Sequence, residues 1–379
     1  MESISEFYKG KEFLNFRVTK LYFQMGLLQQ TMDTFFKFLF LVLFQTNLLA
    51  QSQFDIVMNQ SQRPNSVKLN LEFKDSFNNH TTLPVLILKG KKEGPVFTAL
   101  AGVHGAELAP IIAVQQLIKE INPSDLNGTL ILIPITNIGS FYGYTPYINP
   151  IDQRNINRLL PGRVDGTVSE KIAHFISTRI IPISDVFIDA HSGDSNEDLL
   201  PFVCYYENNN FPEQTKQAKY LSEISGFENV ISYPYTIRDD EPAKFVFKEA
   251  SQKGKIALSF ESGKLGYIQK EAVIRNKRGF RRILNHLGMY TYNDPLGNPI
   301  FEVLNPPNYI DSKTRGIFYS DFNAGDVVEE GEKIGYITDE FGEITEEIYS
   351  NTSGIILYMK GVPATNIDDT VFSISPHQK

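Results

Sequence analysis

The chain has 379 residues, of which 42% are hydrophobic and 21% are charged, and its formal net charge is -8. This composition is typical of a folded globular protein and excludes a largely disordered or fibrous chain. The acidic balance leaves no basic stripe that could neutralise phosphates, so nucleic acid is not an expected partner.

The N-terminal stretch has the order of features that is typical of an export signal. A lysine precedes the apolar run 38–44, and Ala50 follows it. The run is too short to span a bilayer as a helix, so it predicts a signal peptide over residues 32–50. Met32 would begin a conventional signal, and residues 1–31 are therefore predicted to be a non-native upstream extension. A buried N-terminal helix is the alternative.

Cysteine usage bears on where the protein acts. The lone Cys204 cannot form an intramolecular disulfide, and the residue directly after the expected cleavage point near Ala50 is Gln51 rather than the cysteine that a lipoprotein anchor needs. Export without disulfides favours a bacterial periplasm over a eukaryotic secretory route. We therefore expect an exported protein, in the periplasm, with no stable membrane anchor.

The next part of the chain predicts a hairpin and the start of a sheet. Apolar and polar residues alternate at 67–73 and again at 83–87, and turn-forming residues at 75–80 separate the two runs. This pattern is typical of an antiparallel hairpin. An apolar strand at 96–100 then leads into a helix at about 109–121, whose apolar residues recur at helical spacing.

Three further apolar runs, at 129–133, 185–190 and 256–260, alternate with helical patterns at 169–181 and 271–287. Runs with little alternation suit strands that are buried on both faces of a parallel sheet. The sequence therefore predicts an α/β fold with a mixed, mostly parallel sheet flanked by helices.

The tail differs in character from the rest. From residue 300 to 379 it has short alternating runs and frequent glycines, which indicate a small β-barrel or sandwich that follows a catalytic domain at 51–295. The tail also resembles a biotinyl or lipoyl carrier barrel, but residues 336–353 contain no lysine. No covalent cofactor is therefore expected, and the tail is predicted to be a scaffold beside the rim of the site.

Polar residues follow several predicted strands where each strand ends. His104 and Glu107 come after the strand at 96–100, and His191 and Glu261 end two of the later strands. Ligands of open α/β sheets bind beside the carboxyl ends of the strands. We therefore expect these side chains to meet at one edge of the sheet.

The residue types suggest metal-assisted hydrolysis. His104, Glu107 and His191 form a two-histidine, one-carboxylate set, which is typical of catalytic zinc sites because it leaves a position open for water. Glu261 could take a proton from water and return it to a leaving nitrogen. Asp189 lies on the same face of its strand as His191 and could orient an imidazole.

A long loop at about 137–166 contains a candidate substrate anchor. Loops of this length inside a compact domain are usually functional. Arg158 offers a planar fork for a carboxylate, and Asn157 offers an amide. Each candidate also has a structural alternative, such as a turn histidine, a carboxylate at a helix N-terminus, a surface carboxylate or an ion-pair partner. His174 and His286 lie in helical patterns and are interpreted as structural.

Together these motifs resemble those of the succinylglutamate desuccinylase/aspartoacylase family, within the carboxypeptidase-A-like zinc hydrolases. The motifs occur in this order: Gly102-Val103-His104-Gly105-Ala106-Glu107, Asn157-Arg158 with Pro161-Gly162, Asp189-Ala190-His191-Ser192-Gly193 and Glu261-Ser262-Gly263. The resemblance runs from about residue 65 to the C-terminus and includes the tail. It implies that the two histidines and Glu107 hold zinc, that Glu261 is the general base and acid, and that Asn157 and Arg158 contact substrate.

The substrate loop departs from the family pattern. Many members have Asp-Leu-Asn-Arg where this chain has Asn155-Ile156-Asn157-Arg158, and many carry a further arginine earlier in the loop. Residues 143–146 contain no arginine here, and Arg154 is the nearest candidate. The departure leaves the predicted metal site intact and concerns only the identity of the substrate.

The resemblance predicts a zinc-dependent hydrolase, with one zinc per chain, that cleaves an amide bond of an N-acyl amino acid or related small carboxylate. One alternative is a metallocarboxypeptidase that acts on short or cell-wall peptides. An alternative of another class is a non-catalytic periplasmic protein that binds peptides or amino acids. The expected partner is a small molecule or short peptide.

Overall fold

The computed structural model describes residues 53–292 and 300–377, so the predicted signal peptide and upstream extension lie outside the described residues. The strands of the larger part are, in chain order, β1 (Asn65–Lys74), β2 (His80–Lys89), β3 (Lys92–Ala101), β4 (Asn127–Ile133), β5 (Val186–His191), β6 (Glu197–Leu199), β7 (Phe202–Glu207), β8 (Asn229–Pro234), β9 (Ile256–Glu261) and β10 (Glu302–Leu304). Its helices are α1 (residues 53–59), α2 (Leu108–Glu120), α3 (Ile138–Gly143), α4 (Val168–Phe175), α5 (Pro212–Ile224), α6 (Val246–Gln252) and α7 (Lys270–His286).

Nine of these strands form one central sheet in the order β1-β2-β4-β3-β5-β9-β7-β8-β10. The pairs β3–β4, β3–β5, β5–β9, β7–β8 and β8–β10 are parallel, and the others are antiparallel. The predicted mixed, mostly parallel sheet with flanking helices is confirmed. Because β3, β5 and β9 are adjacent and parallel, their carboxyl ends meet at one edge of the sheet.

The sheet is buried on both faces, which explains its nearly continuous apolar strands. In β4, Leu130 and Leu132 belong to a core that helices α2, α5 and α7 cover. Ile131 and Ile133 belong to a second core on the opposite face, beneath α1, α4 and α6. Since successive side chains of a strand point to opposite faces, a strand with both faces covered needs apolar residues at every position.

Among the local predictions, the hairpin is confirmed and one helix needs correction. The hairpin forms as predicted, with β1 and β2 in continuous antiparallel register. The helix predicted at 169–181 is not continuous, because α4 ends at Phe175 and a π turn at Ile176–Ile180 follows it. A 3-10 turn at Ile181–Ile183 then ends the segment, since Pro182 has no N–H with which to continue a helix.

The long loop also contains short elements that the sequence pattern did not indicate. Asn137 caps α3, because its side chain accepts a hydrogen bond from the backbone N of Ser140. A 3-10 turn covers Ile156–Arg158, and the side chain of Asn155 caps it by accepting from the backbone N of Asn157. The loop is therefore held by local caps rather than by an apolar pattern.

The C-terminal part is built from two antiparallel sheets. Its strands are β11 (Asn308–Asp311), β12 (Gly316–Tyr319), β13 (Val327–Val328), β14 (Lys333–Thr338), β15 (Ile344–Tyr349), β16 (Gly354–Lys360), β17 (Ala364–Thr365) and β18 (Thr370–Pro376). One sheet has the order β11-β18-β16-β13 and the other β15-β14-β12-β17, with a separate apolar core that includes Phe318, Ile356 and Phe372. This arrangement agrees with the predicted all-β tail.

Two strands link the two parts of the molecule by pairing with strands of the other part. β10 joins the central sheet beside β8, although it follows the catalytic region in sequence, and β6 pairs with β16 of the C-terminal sheet. The loop that follows β5 is thereby hydrogen-bonded to the C-terminal sheet. Among the described residues, no helix has both the length and the apolar character needed to cross a membrane.

Candidate active site

The turn after β3 positions the first two candidate ligands. Gly102 has a φ of +64°, a conformation that favours glycine, and an added Cβ there would lie 3.1 Å from Ile111 and from the backbone of Ile135. Gly105 packs so closely on α3 that an added Cβ would lie 2.4 Å from its backbone. The two glycines let the chain turn sharply, so that His104 and Glu107, the residue before α2, face the end of β5.

The three predicted ligands converge. Nδ1 of His104 lies 2.6 Å from Oε1 of Glu107, and Nδ1 of His191 lies 2.8 Å from Oε2 of the same carboxylate. One donor atom from each residue lies within 4.8 Å of the others, which is close enough for all three to hold one metal ion. Two imidazole nitrogens and a carboxylate form the donor set of many catalytic zinc sites.

The charges around these donors also suit a cation. Burial alone would raise the pKa of Glu107, but the charges and hydrogen bonds of His104 and His191 lower it to about 2. Burial alone would lower the pKa of the His191 imidazole, but the nearby carboxylates of Asp189 and Glu107 have the larger effect and raise this pKa. The carboxylates of Glu107 and Asp189 therefore lie in one small buried region that suits a divalent cation.

Asp189 lies where it could orient a ligand. Its side chain is fully buried, and Oδ1 lies 2.9 Å from Nε2 of His191. This close contact lacks the alignment of a hydrogen bond, and neither carboxylate oxygen has a hydrogen-bond partner among the described residues. Nε2 of His104 is likewise buried and unpaired. The residues at this site thus fit a metal ion, with ring nitrogens Nδ1 facing inward.

Glu261 is separate from the ligand set and close to it. It ends β9, and its backbone lies opposite His191 in the parallel pair with β5. Its Oε1 accepts a hydrogen bond from Oγ of Ser259 at 3.3 Å. Burial raises the pKa of Glu261 to about 8, and the carboxylates of Glu107 and Glu197 add to the shift against the opposing effect of His191. Such a carboxyl can accept and return a proton near neutral pH.

Arg158 and Asn157 both line the same cavity as the candidate ligands. Arg158 is held by a hydrogen bond from Nη1 to the backbone oxygen of Asn157 at 2.7 Å and by stacking at 4.6 Å over the ring of Phe245. Oδ1 of Asn157 accepts from the backbone N of Val246 at 2.8 Å, which fixes the orientation of the side-chain amide. The arginine presents the rest of its guanidinium to the cavity.

The cavity has a volume of about 610 Å³ and is lined by both parts of the molecule. Its walls include the candidate ligands, Glu261 and Arg158 from the α/β region, and Tyr309, Leu357 and Tyr358 from the C-terminal sheets. The tail therefore does wall the site.

Two acidic groups in this wall were not identified from the sequence, whereas Tyr147 belongs to the tyrosine cluster at 142–147 that the sequence left open as either packing or pocket wall. Asp194 and Glu197 follow His191 by three and six residues in the same loop, and both line the cavity. Burial and the nearby carboxylates of Asp194 and Glu107 raise the pKa of Glu197 to about 8. Tyr147 sits with its ring centroid 6.4 Å from that of His104. Their positions just after a ligand motif, or within the long loop, were the available signals.

Two histidines that we interpreted as structural from the sequence lie outside the candidate active site. His174 is on α4, and His286 is at the end of α7, where its ring packs 4.9 Å from that of Tyr220. Neither lines the cavity.

Comparisons with known proteins find the same family that the motifs resemble. The model of the succinylglutamate desuccinylase/aspartoacylase catalytic domain matches residues 93–287. The N-alpha-acetyl-L-2,4-diaminobutyric acid deacetylase of Halomonas elongata is 28% identical over 300 residues, which cover 77% of this chain and 85% of that protein.

Solved structures share the fold. A succinylglutamate desuccinylase/aspartoacylase from Rhodobacter sphaeroides superposes with a TM-score of 0.74 at 22% identity, over 84% of this chain and 97% of that one. The product-bound ectoine utilization protein EutE (DoeB) from Ruegeria pomeroyi gives the same TM-score, identity and coverage.

Proposed function

The chain belongs to the succinylglutamate desuccinylase/aspartoacylase family, and from that premise we propose that it is a zinc-dependent deacylase that hydrolyses the amide bond of an N-acyl amino acid or related small carboxylate. Amide hydrolysis of the deacylase type is the coarse activity that the family and the Halomonas relative support. The observation that carries the finer proposal is one cavity that contains a three-donor metal set, a separate carboxylate and a single guanidinium.

His104, Glu107 and His191 would hold the zinc ion. Their donor atoms lie within 4.8 Å of one another, and the low pKa of Glu107, about 2, keeps an ionised carboxylate at the centre of the set. When bound in such a set, zinc supplies a Lewis acid and lowers the pKa of water. Asp189, 2.9 Å from Nε2 of His191, would hold that ring with Nδ1 facing the metal.

Glu261 would move the proton. It takes a proton from the attacking water as the water oxygen adds to the amide carbonyl carbon. It then returns that proton to the nitrogen as the carbon–nitrogen bond breaks, so the products are a carboxylic acid and an amine. The strand pairing that puts Glu261 opposite His191 holds the carboxylate beside the metal donors without making it one of them.

Arg158 would hold the substrate by its carboxylate. The hydrogen bond to Asn157 and the stacking on Phe245 restrict the guanidinium, so less side-chain entropy is lost on binding. A bidentate contact with a carboxylate fixes both distance and orientation, which places the scissile amide reproducibly. Asn157 adds its amide nitrogen to the same region.

The proposal also concerns the cellular location of the protein. The signal predicted at 32–50 supports export to a bacterial periplasm, where a small molecule or short peptide would be the substrate. Sequencing the N-terminus of the protein isolated from its native cell tests this. A mature chain that starts near Gln51 is expected, and one that retains residues 32–50 would contradict export by this signal.

The function is tested with the purified protein, a panel of N-acyl amino acids and metal analysis. We expect about one bound zinc per chain, release of the acyl group, and a loss of about 10²–10⁴-fold in kcat for Glu261→Gln with zinc retained. Glu271→Gln, which changes an exposed glutamate on α7, is the matched control and should behave like the wild type.

Each other outcome has a clear meaning. A Glu261→Gln variant that binds one zinc per chain and keeps the activity of the wild type would contradict the mechanism. Release of C-terminal residues from peptides without release of acyl groups would identify a carboxypeptidase instead. Retention of a bound amino acid or peptide without turnover would identify a binding protein.

A further inference from the structure

The cavity extends beyond the metal donors as a pocket with aromatic walls. This aromatic chamber is formed by Cys204 and Tyr206 on β7, Tyr233 on β8, Phe247 on α6 and Tyr309 on β11. The rings of Tyr206 and Phe247 stack with centroids 4.7 Å apart, and the ring of Tyr233 lies 6.0 Å from that of Tyr206. The acidic residues, histidines and arginine that line the cavity are the metal donors, Glu261, Arg158 and the two carboxylates of the loop after β5, and none of them belongs to the aromatic chamber.

The chamber begins at the proposed base. In the antiparallel pair of β7 and β9, Cys204 lies opposite Ser259 and Phe202 lies opposite Glu261. Directly opposed residues of two strands project from the same face of a sheet. The hydrogen bond between Ser259 and Glu261 shows that these two side chains share that face. The chamber thus continues from Glu261 along the sheet surface.

This position indicates which part of the substrate would occupy the chamber. Glu261 returns its proton to the leaving nitrogen, so the nitrogen must come within hydrogen-bond reach of that carboxylate. The substituents of that nitrogen belong to the amino acid that is released, and Arg158 holds its carboxylate in the same cavity. The side chain of the amino acid, rather than the acyl group, is therefore the part that reaches the chamber.

The walls indicate the chemistry of that side chain. Aromatic rings favour offset or edge contacts with another ring, which add about 0.5–1.5 kcal/mol to the burial of apolar area. The hydroxyls of Tyr206 and Tyr233 have no hydrogen-bond partner among the described residues and can pair with a polar atom on the ligand. Burial raises the pKa of both phenols, so they remain neutral donors and acceptors.

The volume of the cavity also favours a large side chain on the substrate. Its volume of about 610 Å³ is in the range of sites that enclose drug-sized ligands, roughly 300–1,000 Å³. An acetyl group and a short aliphatic amino acid would leave the chamber filled only by water. Resting on the function proposed above, we infer that this enzyme selects N-acyl amino acids with an aromatic side chain, and that Tyr206, Tyr233, Phe247 and Tyr309 form the specificity pocket.

The inference is tested by comparing substrates that share the acetyl group. The panel is N-acetyl-L-tyrosine, N-acetyl-L-phenylalanine, N-acetyl-L-alanine and N-alpha-acetyl-L-2,4-diaminobutyrate. For the wild type, kcat/KM for the aromatic substrates should exceed that for the other two by about tenfold or more. Equal values, or a preference for the diaminobutyrate or alanine derivative, would overturn the inference.

A variant of the chamber separates selectivity from catalysis. Tyr309→Ala opens the wall and, because this tyrosine is 59% exposed, should not disturb folding. Its kcat/KM for the aromatic substrates should fall about tenfold more than that for N-acetyl-L-alanine, mainly through KM. Tyr319→Ala, which truncates an exposed tyrosine of the same C-terminal part outside the cavity, is the matched control. An equal loss for every substrate would overturn the assignment of the pocket.

A binding measurement is independent of turnover. Isothermal titration of the purified protein with L-tyrosine and with L-alanine should show about tenfold tighter binding of L-tyrosine, and Tyr309→Ala should remove the difference. Hydrolysis of the small substrates without the aromatic preference would leave the proposed deacylase standing and refute this inference alone. Hydrolysis neither of this panel nor of any N-acyl amino acid in the functional test above would refute the proposed function itself.

Discussion

Oδ1 of Asp189 lies 2.9 Å from Nε2 of His191, on the side of the ring opposite to the nitrogen that faces Glu107. The carboxylate is fully buried and has no aligned hydrogen bond among the described residues. A carboxylate in this position fixes the tautomer and orientation of a ligating imidazole and raises its basicity. Asp189 is therefore placed to act on a metal through His191.

Replacing Asp189 with asparagine tests this role. Asp189→Asn keeps the size of the side chain and removes its charge, so zinc affinity should fall by about 10–100-fold while the fold is retained. Affinity is measured by competition with a chromogenic chelator, and folding by circular dichroism. Asp165→Asn, at an exposed position, is the control and should bind zinc as the wild type does. An unchanged affinity in the Asp189 variant would show that the contact is only structural.

Arg158 should control the binding of substrate more than the chemical step. Arg158→Ala removes charged hydrogen bonds to a carboxylate and should raise KM by about 10–100-fold with a smaller effect on kcat. Arg158→Lys should recover only part of the loss, because an ammonium lacks the planar fork. A substrate analogue whose carboxylate is amidated should not distinguish the variants.

Arg154→Ala is the matched control for this experiment. Arg154 is exposed, belongs to the same loop and does not line the cavity, although the sequence made it the nearest candidate for a second substrate arginine. We expect steady-state constants like those of the wild type. A rise in KM equal to that of Arg158→Ala would instead place a second anchor outside the cavity described here.

The convergence of the candidate metal ligands could be predicted from the sequence because these residues lie at strand ends. Each of these residues follows or ends a run of apolar residues: His104, Glu107, His191 and Glu261. The near absence of polar residues in these runs indicates strands that are buried on both faces of the sheet. The ends of adjacent parallel strands meet, so these residues converge once the strand order is right.

The aromatic chamber could not be predicted in the same way. Cys204, Tyr233, Phe247 and Tyr309 come from four elements, one of which belongs to the C-terminal sheets. No spacing in the sequence relates a tyrosine of β8 to one of β11, because their proximity depends on the packing of the tail on the central sheet. Only the alternation of Phe202, Cys204 and Tyr206 within one strand gave a local signal.

A glycine in α7 is predicted to be required for packing. An added Cβ at Gly279 would lie 2.6 Å from the ring of Phe260 and 3.2 Å from that of Phe227. Gly279→Ala gains about 1 kcal/mol of helix propensity but overpacks a buried aromatic cluster, at a cost of about 1–3 kcal/mol or more. We expect a net loss of stability in urea unfolding. Asn285→Ala, at an exposed position of the same helix, should cause no such loss.

Helices α2 and α7 are joined by an ion-pair cluster that should make stability depend on pH. Oε2 of Glu120 accepts from Nη2 of Arg281 at 2.8 Å, and Oε1 contacts Nζ of Lys277. Burial opposes ionisation, but the two cations outweigh it and lower the pKa of Glu120 below its usual 4.5. The stabilisation is therefore complete above the unfolded-state pKa and is lost as the pH falls through the lower folded-state pKa.

Glu120→Gln should accordingly cost about 1 kcal/mol of unfolding free energy near neutral pH, because the pair is partly exposed to solvent. The difference between variant and wild type should begin to shrink when the pH falls below 4.5, where the unfolded carboxylate takes up a proton, and should disappear below the lower folded-state pKa, where the ion pairs themselves are lost. Urea unfolding curves at several pH values measure this. Glu213→Gln, at an exposed glutamate of α5, is the control. A difference that stays constant with pH would show that Glu120 stabilises the helices by shape rather than by charge.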